Sequence, residues 1–396
     1  MPLRTLRRLA PFAALVPIFA ATLYPTGATE PAGWVQCLFC GEHGVSDFLV
    51  NVILFAPLGA ALAWRGWSLR RVAVAAVLAS GLVETAQLFI PGRDPSLGDI
   101  LSNSLGAVVA AAVVRWAPIW LRPATPGRWA LAGSLVAALA LCTGGHLLTT
   151  RLPESIYYGQ WTPNLGHLFW YRGRVLGATL GDLRLPPRRL ENSSLARRRV
   201  LEGAPLTARV IAGNRTPRLA PIVSIYDENQ REIVLLGADR DDLVWRIRAH
   251  ASDFGLDQPD LRFRSALQGV ASGDSLHVAA WREGTTYCLR VNQRQRCGEG
   301  ISPARSWALF MYPESLAQWV RVLLDGAWVA ALCLPVGLWS VGAHRVAAAV
   351  TGAILAAALA LAPVANGIAA ITVLDWAWAA AGWLSGAGAT RLLRAR

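Results

Sequence analysis

The sequence predicts an α-helical, multi-spanning membrane protein of about eight helices, with an all-β sandwich inserted between the fifth and the sixth. Three observations predict it. Hydrophobic residues make up 54% of the 396 positions against 16% charged, and the mean hydropathy is +0.37, which excludes a disordered chain and argues against an ordinary soluble enzyme. The basic side chains are all arginine and, outside residues 151–315, they fall between long apolar runs. Residues 151–315 alone hold 23 Arg and 17 acids, so a water-soluble segment interrupts the apolar ones. A formal charge of +13 would suit nucleic acid, but its placement between apolar runs makes a lipid bilayer the expected partner and nucleic acid an unexpected one.

Crossing a bilayer takes roughly 20 apolar residues in a helix. Eight stretches qualify: about 9–25, 48–64, 72–90, 99–116, 129–148, 320–339, 344–362 and 368–386. The first follows Arg4, Arg7 and Arg8 as a signal peptide would, but no small-x-small cleavage site follows and Tyr24-Pro25 ends it, so it is expected to remain as an anchor. The sixth is the weakest, because its outer end carries Arg321 and Asp325. Asp375, in the eighth, is expected to be hydrogen-bonded where that helix packs on the first ones.

With the N-terminus inside, alternating segments on that side hold 13 Arg and no acid, whereas the loop 26–47 holds no Arg and the loop 91–98 only Arg93. This asymmetry places both termini inside and residues 149–319 outside. Trp34, Trp64, Trp67, Trp116, Trp129 and Trp319 fall near the expected interfaces, as aromatic belts do.

Within 150–315, short alternating runs predict strands around 206–210, 222–226, 233–236, 243–247, 276–280, 287–291 and 307–311. Pro186-Pro187, Arg188-Arg189 and Arg197–Arg199 are expected in turns or loops. Cys288 and Cys297 flank a hairpin centred between Asn292 and Gln293, which predicts a disulfide between them. Cys142 and Cys333 fall in apolar helices and are expected to be small fillers. Cys37-Leu-Phe-Cys40, followed by His43, has no second CxxC to complete a four-ligand zinc site. A small Cys37–Cys40 disulfide loop is the favoured reading, with metal binding and redox chemistry left open and no metal site assigned. No cofactor is expected. Asp239, Asp241 and Asp242 form either a solvated turn or, less favoured, part of a calcium site.

The polar residues of the apolar half are the candidate site. Asp47 and Asn51 are four apart, Glu84 and Gln87 three apart, and Asp99 and Asn103 four apart, so each pair shares a helix face. Each pair falls in the outer part of its helix, and Arg93 and Asp94 lie in the loop between the third and fourth. A carboxylate at a membrane-helix centre costs about 2.5–3.5 kcal/mol, so Glu84 must face protein or water, be paired or be protonated. Two readings stand side by side. In one, the set is polar glue between helices. In the other, it forms an outward-open pocket for a polar or lipid-linked headgroup, where Glu84 and Asp99 would do acid–base work and Arg93 would clamp an oxyanion or phosphate. A transporter is disfavoured, because the polar groups gather on one side and no paired broken helices are visible.

Asn51-x3-Phe55-x-Pro57-x-Gly59, Glu84-x2-Gln87, Arg93-Asp94 and Asp99-x3-Asn103-x2-Gly106 resemble the VanZ-like family over about residues 8–117. One departure is the run Ala107–Ala112, where a second glycine is often found. The family is named for a membrane protein linked to teicoplanin resistance. The resemblance implies a bacterial inner or cytoplasmic membrane, an envelope role in glycopeptide tolerance or glycan handling, and no defined reaction. The insert, through Pro221–Asp227, Leu235–Asp239, Asp242–Arg248 and Tyr287–Asn292, resembles concanavalin A-like or laminin G-like jelly rolls, which implies glycan or protein binding.

Overall fold

The structure is a computed structural model that describes residues 3–25, 38, 39, 41–93, 95–165, 168–313 and 316–394. Helices α1 (Leu3–Thr22), α2 (Gly44–Trp64), α3 (Leu69–Gln87) and α4 (Leu97–Arg115) form a first cluster, followed by the short α5 (Ala117–Leu121). Helix α6 (Pro126–Leu147) leads into the strand-rich segment. That segment carries β1 (Tyr157–Trp161), β2 (Arg174–Leu180), β3 (Leu183–Arg184), helix α7 (Ser193–Glu202), β4 (Leu206–Ile211), β5 (Thr216–Asp227) and β6 (Glu232–Arg240). It continues with β7 (Asp242–Ile247), β8 (Leu261–Phe263), β9 (Ser275–Glu283), β10 (Thr286–Val291) and β11 (Arg294–Glu299). Helices α8 (Gln318–Ser340), α9 (Arg345–Asn366) and α10 (Val373–Arg394) follow.

Five helices, α2, α4, α6, α8 and α9, are long and apolar enough to cross a membrane. The spans expected at 9–25, 72–90 and 368–386 coincide with α1, α3 and α10, which are as long but fall below that mark. Helix α8, the least certain from sequence, is among the five. Its charges are met by the β segment: Trp307 Nε1 donates to Asp325 Oδ1 at 2.6 Å, and Arg321 lies 3.9 Å from Glu299.

In the first cluster, α2 and α4 cross almost backbone to backbone. A Cβ at Gly59 would sit 1.9 Å from the carbonyl oxygen of Ala107, and one at Gly106 would sit 2.0 Å from that of Val52. The two glycines thus provide the close approach even though alanines run on from position 107. Phe55, Leu58, Val72, Ala76, Val83 and Ala107 fill the core beneath this crossing. A second cluster joins α6, α8, α9 and α10 around Leu141, Val329, Val336 and Leu359. Helix α10 packs on α8 rather than on the first cluster. Asp375 does not bridge to that cluster either: it accepts from the Thr372 amide and hydroxyl while its own amide donates to Thr372 Oγ1, a reciprocal cap on α10. Cys333 is buried in the second core as expected, whereas Cys142 is exposed.

The strands form two antiparallel sheets, β1-β5-β6-β7-β8 and β11-β10-β9-β4-β2-β3. Ile222, Leu236 and Trp245 of the first sheet and Val175, Leu206 and Leu276 of the second share one core, so the sheets pack face to face. The first sheet is buried on its other face too, where Leu219, Leu235 and Val244 meet Leu168, and β5 and β6 are therefore apolar on both sides. Cys288 and Cys297 are disulfide-bonded across the β10–β11 hairpin, whose two-residue turn is Asn292-Gln293.

Three expectations for the strand-rich segment are corrected. Residues 307–311 do not form a strand. Pro303–Leu309 is a buried 3-10 helix packed on α6 and α8, and alternation cannot tell such a segment from a strand when every residue in it is buried. Arg197–Arg199 lie in α7, which Asn192 caps by accepting from the Leu195 amide and which ends at Gly203 with φ of 81°. Of the three aspartates only Asp241 lies in a partly solvated turn, paired with the exposed Arg215, whereas Asp239 and Asp242 are drawn inward by arginine, Asp239 by Arg262 at 2.6 Å and Asp242 by Arg264 at 2.8 Å. Asp239 is 2% exposed. Cys37, Cys40 and Asp94 lie outside the described residues.

Candidate functional site

Helix α2 starts against the sandwich. Ser46 Oγ donates to the carbonyl of Leu309 at 2.7 Å and accepts from the amide of Asp257 at 2.6 Å, and the amides of Val45 and Ser46 both donate to the carbonyl of Gly255. The end of α2 that carries Asp47 and Asn51 therefore faces the sandwich. The end of α3 with Glu84 and Gln87, and the start of α4 with Asp99 and Asn103, lie at the same level.

Asp47 is exposed in the first turn of α2. One turn deeper, the half-buried Asn51 donates from Nδ2 to Asp99 Oδ1 at 2.8 Å. Asp99 sits in the first turn of α4, where unpaired amides favour negative charge. The Ser96 hydroxyl caps α4 by accepting from the Gly98 amide, and the Ser96 amide donates to Glu84 Oε2 at 2.9 Å. Glu84 is 1% exposed, so this amide and the protein around it, rather than water, receive its carboxyl. Asn103 donates from Nδ2 to Ser80 Oγ at 2.9 Å, while its buried Oδ1 has no hydrogen-bond partner among the described residues. Asp99 lies within electrostatic range of both Asp47 and Glu84, so three carboxyls from three helices share the site.

Gln87 and Arg93 turn to α1 instead. Gln87 Nε2 donates to the carbonyl of Thr22 at 3.0 Å. Arg93 donates from Nε to the carbonyl of Tyr24 at 3.0 Å and from Nη2 to that of Ala21 at 2.6 Å, which sets a cation on the negative end of α1. Within the described residues its guanidinium thus anchors a helix end, near Glu84 but without an ion pair to it. The eight candidates accordingly divide. Asp47, Asn51, Glu84, Asp99 and Asn103 converge where α2, α3 and α4 meet, Gln87 and Arg93 fasten α1 beside them, and Asp94 is not described.

Sequence reasoning missed Ser80, Ser96 and Asp257. Ser80 precedes Glu84 by one helical turn, so its place on the same face was readable. Asp257 comes from the sandwich and acts electrostatically on Asp47 across a separation of 210 residues, which no local pattern announces. Burial pushes the Asp257 carboxyl above its ordinary range, against the opposing pull of the Tyr312 amide.

Residues 4–120 match the family model described as VanZ/LLP1, so the first helical cluster, with the whole polar set, is VanZ-like. No curated protein and no solved structure matches the chain.

Proposed function

We propose that this is a bacterial cytoplasmic-membrane protein of the cell envelope. The polar set of α2–α4 opens at the outer leaflet to hold the headgroup of a lipid-linked precursor, the external sandwich binds a surface glycan or protein, and the activity contributes to glycopeptide-antibiotic tolerance. The observation that carries this reading is the Asn51–Asp99 hydrogen bond, half-buried beneath an exposed Asp47. It leaves carboxylate and amide groups at a helix junction beside the sandwich, within reach of a polar headgroup. The positive-inside arginine pattern supports the orientation, with both termini cytoplasmic and residues 149–319 outside. Two face-to-face antiparallel sheets are in keeping with the jelly-roll resemblance of the insert.

A second reading, favoured by the nearness of the Glu84 and Asp99 carboxyls, makes the same site that of a membrane enzyme acting on a lipid-linked or phosphate-bearing precursor. Asp99 and Glu84 would then serve as the acid–base groups. Arg93 would have to exchange a backbone carbonyl for the substrate oxyanion.

Mass spectrometry of lipids co-purified with the wild-type protein and with Glu84→Gln tests the pocket. A headgroup-bearing lipid retained by the wild type and lost from an equally stable variant supports it. Identical lipid profiles sink it. Misfolding of both Glu84→Gln and Arg93→Ala would leave these groups as helix glue.

A further inference from the structure

A cavity of about 300 Å3 lies where the sandwich meets the helix ends, well apart in sequence from the polar set of α2–α4. That volume is at the lower end of small-molecule sites, about 300–1,000 Å3. One wall comes from the membrane side, with Thr149 and Thr150 leaving α6 and Asn366–Ile368 joining α9 to α10. The facing wall comes from the sandwich, with Arg282 from β9, Thr285 from the following turn and Tyr287 from β10. A smaller recess continues from it, sharing Thr150, Arg282 and Tyr287 and adding Trp281.

The lining selects by charge. Among the described residues it contains no carboxylate and one cation, Arg282, which is held by the carbonyl of Leu201, to which Nη2 donates. A cationic ligand would meet the full positive charge of Arg282, which the two helix ends beside it only balance. An anionic ligand would meet the C-terminal ends of α6 and α9, each equivalent to roughly half a negative charge. The cavity therefore favours a neutral ligand.

Its polar groups specify hydroxyl partners. Thr150, Thr285 and Tyr287 have hydroxyls with no hydrogen-bond partner among the described residues. Asn366 is fixed by Nδ2, which donates to the carbonyls of Ala362 at 2.8 Å and Cys142 at 3.3 Å, leaving Oδ1 as an acceptor. Between these groups, Leu148, Leu201, Ile247 and Ile301 and the half-buried Tyr287 ring supply apolar surface. Donors and acceptors around an amphipathic aromatic ring suit a molecule with hydroxyls on its rim and C–H groups on its face.

We propose that this seam cavity binds a neutral sugar ring at the membrane surface, presented either as a glycolipid headgroup or as the end of a free oligosaccharide. The proposal rests on the glycan-binding reading of the sandwich and gives it a site that both the sandwich and the helices build.

The test uses the full chain in phosphatidylethanolamine–phosphatidylglycerol nanodiscs. The probes are glucosyl-diacylglycerol, with diacylglycerol as its control, and soluble maltose, cellobiose and chitobiose, read by native mass spectrometry and saturation-transfer NMR. Thr285→Trp fills the cavity from an exposed turn, and Tyr287→Leu removes the hydroxyl and the ring. Each should weaken sugar binding about tenfold or more at an unchanged melting temperature. Glu84→Gln should leave it unaltered. Binding of the glycolipid alone identifies a membrane-borne sugar and binding of disaccharide alone a soluble one, and either supports the site. Sugar binding that ignores both cavity variants overturns the seam site but keeps a glycan-binding sandwich. Binding of none of the probes overturns both.

Discussion

Asn51 on α2 and Asp99 on α4 are joined by a 2.8 Å hydrogen bond, about two turns along α4 from Gly106, where the backbones of the same two helices touch. Hydrogen bonds between membrane helices average about 0.6 kcal/mol and reach about 1.7 kcal/mol. A double-mutant cycle of Asn51→Ala and Asp99→Ala, followed by unfolding in mild detergent, should give a coupling in that range. Asp99→Asn should cost less than Asn51→Ala, because the latter leaves a carboxylate without its donor. Zero coupling would mean that the two groups do not act as a pair.

Gly59 and Gly106 allow that crossing. Their Cβ positions fall about 2 Å from the carbonyl oxygens of Ala107 and Val52, and these are backbone atoms that cannot swing aside as side chains do. Gly59→Ala and Gly106→Ala should each destabilise the protein by about 1–3 kcal/mol by forcing the helices apart. Gly81 on α3 meets nothing within 4 Å of its Cβ position. Gly81→Ala should be neutral or stabilising by up to about 1 kcal/mol. Equal losses at all three positions would make the contact irrelevant.

Arg262 holds two buried aspartates in the sandwich, Asp239 at 2.6 Å and Asp260 at 2.7 Å, with all three side chains at most 4% exposed. Arg262→Met should cost about 3–5 kcal/mol, because it strands two charges away from water. Adding Asp239→Asn and Asp260→Asn should restore part of that loss in denaturant titrations. A triple variant no more stable than Arg262→Met would show that packing, not charge, sets the cost.

The junction between α2 and the sandwich should be sensitive to pH through Asp257. Its carboxylate accepts from the amides of Tyr312 and Gln258, yet burial raises its pKa above the ordinary 3.8. Its charged surroundings are His43, Asp47 and Arg246. The folded state binds this proton more tightly than the unfolded chain does. The stabilisation is therefore full below 3.8 and is lost as pH rises through the raised value. Hydrogen exchange at residues 255–257, corrected for intrinsic rate, should show more opening at neutral pH than at pH 3.8. Asp257→Asn should flatten this dependence, and a flat wild-type profile would rule it out.

What the sequence revealed follows from the range of the forces involved. The polar set was legible because i, i+3 and i, i+4 spacing brings Glu84, Asp99 and Asn103 onto faces that must avoid lipid, whatever their partners. The role of Arg93 was not, since its acceptors are carbonyls at and just past the end of α1 and carbonyls leave no mark in a sequence. Six of the seven expected strands are present: β4 keeps an alternating apolar face, whereas β5 and β6, buried on both sides, read as nearly continuous apolar runs. The segment at 307–311 was misread because contacts with α6 and α8, far off in the chain, decide its form. Helix α7 was overlooked because its arginines resemble a loop, although Asn192 and Gly203 mark its ends.

The orientation is the premise of an outer-leaflet pocket, and it can be tested directly. The turns at 65–68 and 341–344 lie at the opposite end of the helices from the sandwich, and both adjoin arginines: Arg65, Arg70 and Arg71 at the first and Arg345 at the second. A short epitope inserted after Gly66 should be reached by antibody only after the membrane is permeabilised. The same epitope after Gly273, in an exposed sandwich turn, should be reached on intact spheroplasts. Neither glycine has a neighbour within 4 Å of its Cβ position, so both insertions should be tolerated. The reverse labelling pattern would put Asp47 and Asp99 at the cytoplasmic leaflet. A lipid-linked precursor on the outer face would then be out of their reach, whatever their mutual geometry.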